Sequence, residues 1–511
     1  MNLCIEFPIF QLPLNSEKVL QFQSMSKIKS PIYHTVRHGC RRISTSSGSG
    51  STIDPDLALL NSSELSSHLL ELGPFPSFSS ILNQQHFYQN EVLMKYSRKD
   101  PHPVSLRQLA GYGKTLTKQK IIHSANFVRL ELPIRLAMRI RDLQTLPFGV
   151  VNNFHLAQIY ESYYHSFNAF RKIGTINTLD DNDKFCETLS SLLDDHVFNL
   201  PHLMMGALEV SILTDLPQNE LDQFMSSMIR SRISRRVIVE EHLSLTDNYK
   251  TSPYSTKPPD FIGEIFAQCN AAEELKIVSG VIKKSMVDIY PDVNKMPELE
   301  IDGDLNSTFP FMVPHLHYLF GEILRNSYEA TINKYKDVEF GEKMPPIKIT
   351  IIDSNQDVIF RISDQGGGIP HDKLNGVWSF MKPLNIAKNS LENFHRIPGL
   401  QLYHNLKVTP GGSSIVGGSK DKEEVLNNSS LTEPHKQTDS PRGEDKQSTL
   451  SALVNRGGEF KFGLGLPMCK VYTDYWNGDL SMNSLEGYGS DTCLTLKKLG
   501  LHSNVTQLDR A

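Results

Sequence analysis

Three clusters in this 511-residue chain carry residue types and spacings that could do chemistry. The first is Glu322, Asn326 and Glu329 within HLHYLFGEILRNSYEATIN, residues 315–333. Their i, i+4 and i+7 spacing lines them along one edge of a helix. A carboxylate one turn before a carboxamide can activate a nucleophile and hold a metal ion, although solvation alone also puts charge on a helix edge. The second is Asp364, just ahead of Gly366-Gly367-Gly368. An aspartate there can accept a hydrogen bond from the amino group of a base, and the glycines allow a ligand close to the backbone. By itself a glycine triplet is equally an ordinary turn. The third is KFGLGLPMCK, residues 461–470, where Gly463 and Gly465 precede an apolar-periodic segment. Glycines ahead of a helix start leave free N–H groups and a positive dipole end facing a phosphate.

Elements must hold these residues in place. Leu316, Leu319, Phe320, Ile323, Leu324 and Ile332 form an apolar stripe, and Pro314 suits a first helical turn. Residues 347–352 and 358–362 alternate and are β-branched, so they read as neighbouring strands, the second running into Asp364. Leu466, Met468, Val471, Tyr472 and Tyr475 predict a helix, followed by Leu480-Ser481-Met482-Asn483, a turn at 486–491 and a closing strand at 493–496.

Upstream, from about Val104 to Thr246, the pattern is helical. The spacing predicts helices at 127–140, kinked or restarted at Pro133, at 154–170, at 185–213 with a split near Leu200-Pro201, and at 221–245. Four long helices with short connections suggest an antiparallel bundle. Arg230, Arg232, Arg235 and Arg236 read as a basic helix face, which could also meet an anionic partner.

Length predicts two or more domains, and 39% hydrophobic with 21% charged residues is an ordinary globular composition. A formal net charge of -5 gives no global drive toward nucleic acid. No apolar run approaches the roughly 20 residues of a membrane-spanning helix. The six cysteines form no CxxC pair, which fits a reducing compartment better than a disulfide framework or a zinc site. Residues 18–53 contain no Asp or Glu, carry six Lys or Arg and end in a serine-rich stretch. That is the composition of a mitochondrial transit peptide, so residues 1–53 are set aside from the fold.

The order of the pieces is more specific than any of them. Glu-x-x-x-Asn on a helix, strand-Asp-x-Gly-Gly-Gly, Gly-x-Gly-Leu before a helix and Gly-x-Gly-Ser before a strand resemble the boxes of the Bergerat ATP-binding fold. Within that superfamily, residues 104–499 resemble the mitochondrial 2-oxoacid dehydrogenase kinases, the pyruvate and branched-chain enzymes, and are most similar to a fungal pyruvate dehydrogenase kinase group. Residues 130–137 (LELPIRLA) and 231–236 (SRISRR) look like family segments.

The resemblance implies an α + α/β fold, with a four-helix-bundle docking domain at 54–260 and a Bergerat-type α/β sandwich ATP-binding domain at 261–499, followed by a tail at 500–511. It implies ATP and Mg²⁺ as cofactors, with Glu322 as general base and Asn326 as the Mg²⁺ ligand. Asp364 would recognise adenine. Arg325, Gly366, Gly368, Phe462, Gly463, Leu464, Gly465, Leu466 and Gly489, with Glu322 and Asn326, would complete the nucleotide site. The implied activity is serine phosphorylation that inactivates the pyruvate dehydrogenase α subunit in the mitochondrial matrix, or its branched-chain counterpart. A lipoyl-bearing transacetylase core and a second kinase subunit are the implied partners.

The chain departs from the family at several places. Glu329 stands where the family has arginine, Lys461 replaces a glycine, and Pro383-Leu384 replace a Ser-Thr pair. Tyr318 occupies the position one turn before Glu322 where animal members carry histidine, with His317 and His315 nearby. No Asp-Trp tail motif follows Leu499. Residues 382–460, the expected ATP lid, are long and polar, which predicts disorder over much of them. Rival readings are a histidine kinase, an ATP-gated clamp or chaperone, and a non-catalytic scaffold. Leu130 sits where the first would need its phosphoacceptor histidine, and no transducer domain follows the last strand as the second would require.

Overall fold

The computed structural model describes residues 90–500, apart from 214–215, 292, 294–295, 337–343, 397–448 and 455–462. The proposed transit segment, the bulk of the lid insert, Lys461, Phe462 and residues 501–511 lie outside the described residues.

The first half is built of helices: α1 Glu91–Ser97, α2 Leu106–Gly113, α3 Lys118–Thr145, α4 Phe154–Phe170, α5 Leu179–Asp195, α6 Asn199–Leu213 and α7 Gln218–Thr251. Side-chain oxygens of Asn90, Ser105, Thr117 and Asn153 cap the starts of α1 to α4, meeting N–H groups that would otherwise lack partners. The long α3 packs against α1, α4, α5 and α7, and α6 packs against α4.

Pro133 does not restart a helix, because α3 runs through it. Glu131, Leu132, Ile134 and Leu136 on either side are buried, and this packing outweighs the ~3 kcal/mol that an interior proline costs. The predicted 185–213 helix is two, and the break falls before Pro201. That proline sits in the first turn of α6, where its missing N–H is harmless. The basic cluster is solvated only in part: Arg230 is exposed and Arg236 half-buried. Arg232 and Arg235 are both buried, Arg235 donates to Tyr163 Oη at 2.8 Å, and Arg236 pairs with Glu240. A helix packed from several sides turns its arginines inward, where a guanidinium can bond an aromatic hydroxyl and lie over the ring.

The second half contains a five-stranded mixed sheet of order β2-β4-β5-β7-β6: β2 Leu299–Gly303, β4 Ile347–Asp353, β5 Asp357–Ser363, β7 Gly489–Lys497 and β6 Asp479–Leu485. Only the β2–β4 pair is parallel. A two-stranded antiparallel ribbon joins β1 Ala267–Asn270 to β3 Thr308–Phe311. Ile347, Ile349, Ile351, Val358, Phe360 and Ile362 alternate onto one buried face of the sheet.

Helices α8 Ala271–Ile289, α9 Val313–Tyr335, α10 Leu384–Arg396, α11 Thr449–Val454 and α12 Gly465–Tyr475 belong to this half. The α9 helix contacts β5, α8, α11 and α12, with Phe320 edge-on to Phe360 at 4.9 Å between ring centroids. The two halves share one continuous apolar core. In it α12 lies against α7, and α10 lies against α6. No helix among the described residues is long and apolar enough to cross a membrane.

Candidate nucleotide site

Every apolar residue of the predicted stripe on α9 is buried, so the helix is fixed against the sheet and its polar edge has one place to go. Along that edge Glu322 is only 3% exposed, Asn326 one turn later is exposed, and Glu329 is half-buried. The carboxylate of Glu322 meets the start of α12. A Cβ added to Gly465 would stand 3.0 Å from Glu322 Cδ and overlap Oε2, so glycine is what lets the two backbones close on the carboxylate. The helix cap at Leu464 makes no side-chain hydrogen bond, so the first N–H groups of α12 are left for other partners.

Asp364 lies at the end of β5 and is 8% exposed. Its Oδ1 accepts the N–H of Gly366 at 2.9 Å and of Ser490 at 3.3 Å, while Oδ2 accepts Ser327 Oγ from α9 at 3.3 Å. Burial pushes its pKa above the ordinary carboxylate range, and these hydrogen bonds pull it back in part. Gly366 packs directly on Ala330 and Thr331 of α9, and Gly489 on the backbone of Asp364 and Gln365, with no room for a side chain at either. Gly368 has φ of +70°, a left-handed conformation that glycine adopts without penalty, and lies against the backbone of Leu485. Lys334 Nζ donates to the carbonyls of Gln365, Gly487 and Tyr488 at 2.9 to 3.0 Å, tying both glycine loops to α9.

The fold therefore gathers Glu322, Asn326, Asp364, Gly366, Gly368, Leu464, Gly465 and Gly489 around α9. Gly463 also begins this approach to α12, with φ of +65°, and Leu466 is half-buried in its first turn. Arg325 is buried, and its Nη2 donates to Val454 O of α11 at 2.7 Å. His317 pairs with Glu274 at 2.5 Å and His315 accepts the indole N–H of Trp476 at 3.1 Å, while Tyr318 Oη reaches Met468 Sδ at 3.5 Å.

Sequence reasoning missed Ser327, Lys334, Asp222 and Lys382. Asp222, near the start of α7, accepts Ser379 Oγ at 3.0 Å and the N–H of Phe380 at 2.7 Å, and Ser211 Oγ of α6 accepts the N–H of Lys382 at 3.4 Å. The segment leading into α10 is thus fastened to the helical half. No local spacing signals such a link.

Comparison with known proteins bears on this arrangement. Residues 103–266 match a family model described as mitochondrial branched-chain alpha-ketoacid dehydrogenase kinase. Over 460 residues the chain is 43% identical to [pyruvate dehydrogenase (acetyl-transferring)] kinase 2, mitochondrial, of Saccharomyces cerevisiae, covering 88% of this chain and 92% of the yeast protein. The chain belongs to the mitochondrial pyruvate dehydrogenase kinase family. It is 26% identical to the Arabidopsis thaliana mitochondrial kinase over 78% of this chain and 90% of that one, and 24% identical to human isozyme 3 over 80% of this chain and 86% of that one. The expectation of a 2-oxoacid dehydrogenase kinase, and of a protein kinase that uses ATP, is borne out.

Proposed function

We propose that this protein is an ATP-dependent protein-serine kinase of the mitochondrial matrix that phosphorylates and inactivates the α subunit of the pyruvate dehydrogenase complex. The observation that carries the reading is the buried Glu322 carboxylate set against Gly465 at the uncapped start of α12, one turn from an exposed carboxamide. In this reading the sheet and α8, α9 and α12 form a Bergerat-type ATP-binding domain at 261–499, and the helices of 54–260 a bundle that docks on the complex.

Asn326 has the donor type Mg²⁺ prefers, an amide oxygen, and it is open to solvent on an otherwise buried edge. Bound there, Mg²⁺ would neutralise phosphate charge. Glu322 orients the acceptor serine hydroxyl and takes its proton as the oxygen bonds to the γ-phosphorus, with ADP leaving. Asp364 accepts the adenine amino group, while the N–H groups of Gly463, Leu464, Gly465 and Leu466 face the phosphates. Gly366, Gly368 and Gly489 let the loops approach the base. A lipoyl-bearing core and a second kinase subunit are the proposed partners.

The match of residues 103–266 to the branched-chain kinase model favours a second reading, a branched-chain 2-oxoacid dehydrogenase as substrate. One experiment separates them. The chain is incubated with Mg²⁺, γ-labelled ATP and either complex from the same cell type. Acid-stable label on the pyruvate dehydrogenase α subunit, with loss of that complex's activity, is expected. Label on the branched-chain subunit alone would move the assignment, and label on neither would leave a non-catalytic scaffold.

A further inference from the structure

Lys382 sits just before α10 and is 8% exposed. Its ammonium has no hydrogen-bond or ion-pair partner among the described residues. The carboxylate whose field it feels is Asp222, and Oδ1 of that residue already accepts two donors from Ser379 and Phe380. Burial pulls the Lys382 ammonium down to about 8 from the usual lysine range. A cation held out of water without an anion beside it is costly, and such groups are normally paired.

The side chain lies over Gly463: a Cβ added to that glycine would stand 3.9 Å from Lys382 Cε, 3.6 Å from Ile386 Cγ2 and 3.7 Å from Ser390 Oγ. Gly463 leads into the uncapped start of α12, and Gly465 two residues on abuts Glu322. An ammonium on one flank and the N–H groups of Gly465 and Leu466, unpaired among the described residues, on the other converge on the same space. Both favour an anion, and together they favour one with several negative charges.

We propose that Lys382 is a phosphate-binding residue of this site, pairing with the distal phosphates of the bound nucleotide. The inference rests on the nucleotide reading of the site and adds a contact to it. Lys382 supplies charge to the phosphate end, opposite the adenine end held by Asp364. Affinity should therefore depend on Lys382 in proportion to the number of phosphates.

The test compares the full-length protein with Lys382→Met and Lys382→Arg, titrating each with Mg-ATP, Mg-ADP and AMP and recording Tm with and without nucleotide. Lys382→Met is expected to weaken Mg-ATP at least tenfold, Mg-ADP less, and AMP less than twofold. Without nucleotide its Tm should be unchanged or higher, since an unpaired buried charge is gone. The rise in Tm caused by Mg-ATP should shrink. Lys382→Arg should keep most of the ATP affinity. Equal loss for all three nucleotides with a lowered Tm would make Lys382 structural and overturn the proposal, as would unchanged ATP affinity. A wild-type protein that binds no nucleotide would overturn the nucleotide reading as well.

Discussion

The carboxylate of Glu322 occupies the space in which a side chain on Gly465 would stand. One residue comes from the middle of α9 and the other from the first position of α12, so packing between two helices sets the position of the group proposed to take the proton.

Replacing Glu322 by glutamine keeps the shape and removes the base. Phosphoryl transfer should fall by at least about a hundredfold while the Kd for Mg-ATP changes little. Gly465→Ala should give a similar loss, because the added methyl displaces the carboxylate. Labelled transfer and ATP titration, measured side by side, check both. A Glu322→Gln protein that no longer binds ATP would show the carboxylate to be a ligand rather than a base.

Asp364 should set nucleotide affinity and its response to acid. Its pKa is raised by burial, so it gains a proton at a higher pH than an exposed aspartate, whose value is about 4. Protonation turns one oxygen into a donor and leaves a weaker acceptor for an amino group. ATP affinity should therefore decline on acidification before exposed aspartates titrate. Asp364→Ala should abolish binding, and retained affinity in that variant would move the base elsewhere.

Asp222 is the strap between the halves. Asp222→Ala removes the acceptor of the Ser379 hydroxyl and the Phe380 amide. A loss of about 1.5–3 kcal/mol is expected for hydrogen bonds to a charged group, read as a lower denaturation midpoint. Wild-type stability in this variant would mean that the segment is held by packing alone.

Two buried histidines, His242 and His315, and the half-buried His196 should make the fold acid-sensitive. Burial lowers His196 and His315 to about 3 and His242 to about 4. An unfolded histidine, with a pKa of about 6.5, takes up a proton that the folded one refuses, so stability is lost as pH falls below about 6.5. At pH 5 each contributes up to about 2 kcal/mol of that loss. His315→Gln keeps an acceptor for the Trp476 indole and should flatten the fall of Tm between pH 6.5 and 5. An unchanged slope would remove His315 from the account.

Much of this was legible in the chain because periodicity reports burial. The helix at 154–170 has the bounds its pattern predicts, and the strand pair ending at Asp364 follows from alternation. The strands β1, β2 and β3 were not expected. They are short: in β2 Leu299 and Ile301 alternate with Glu300 and Asp302 over only five residues, and its parallel partner lies beyond the intervening α9. The fastening of Ser379 to Asp222 joins residues 157 apart, and polar pairs at that distance leave no trace in local spacing. The inward arginines misled for a related reason: a basic run looks solvated until the neighbouring helices are in place.

Lys382 is carried by a segment fastened to α6 and α7, whereas Glu322 is carried by α9. Two parts mounted on different helices act as the jaws of a caliper. A shift of α6 and α7 relative to α9 would carry Lys382 with it and change its gap to Glu322. With reaction rates changing by about a hundredfold for an ångström of misplacement, a small movement far from the reacting atoms becomes a large change in turnover.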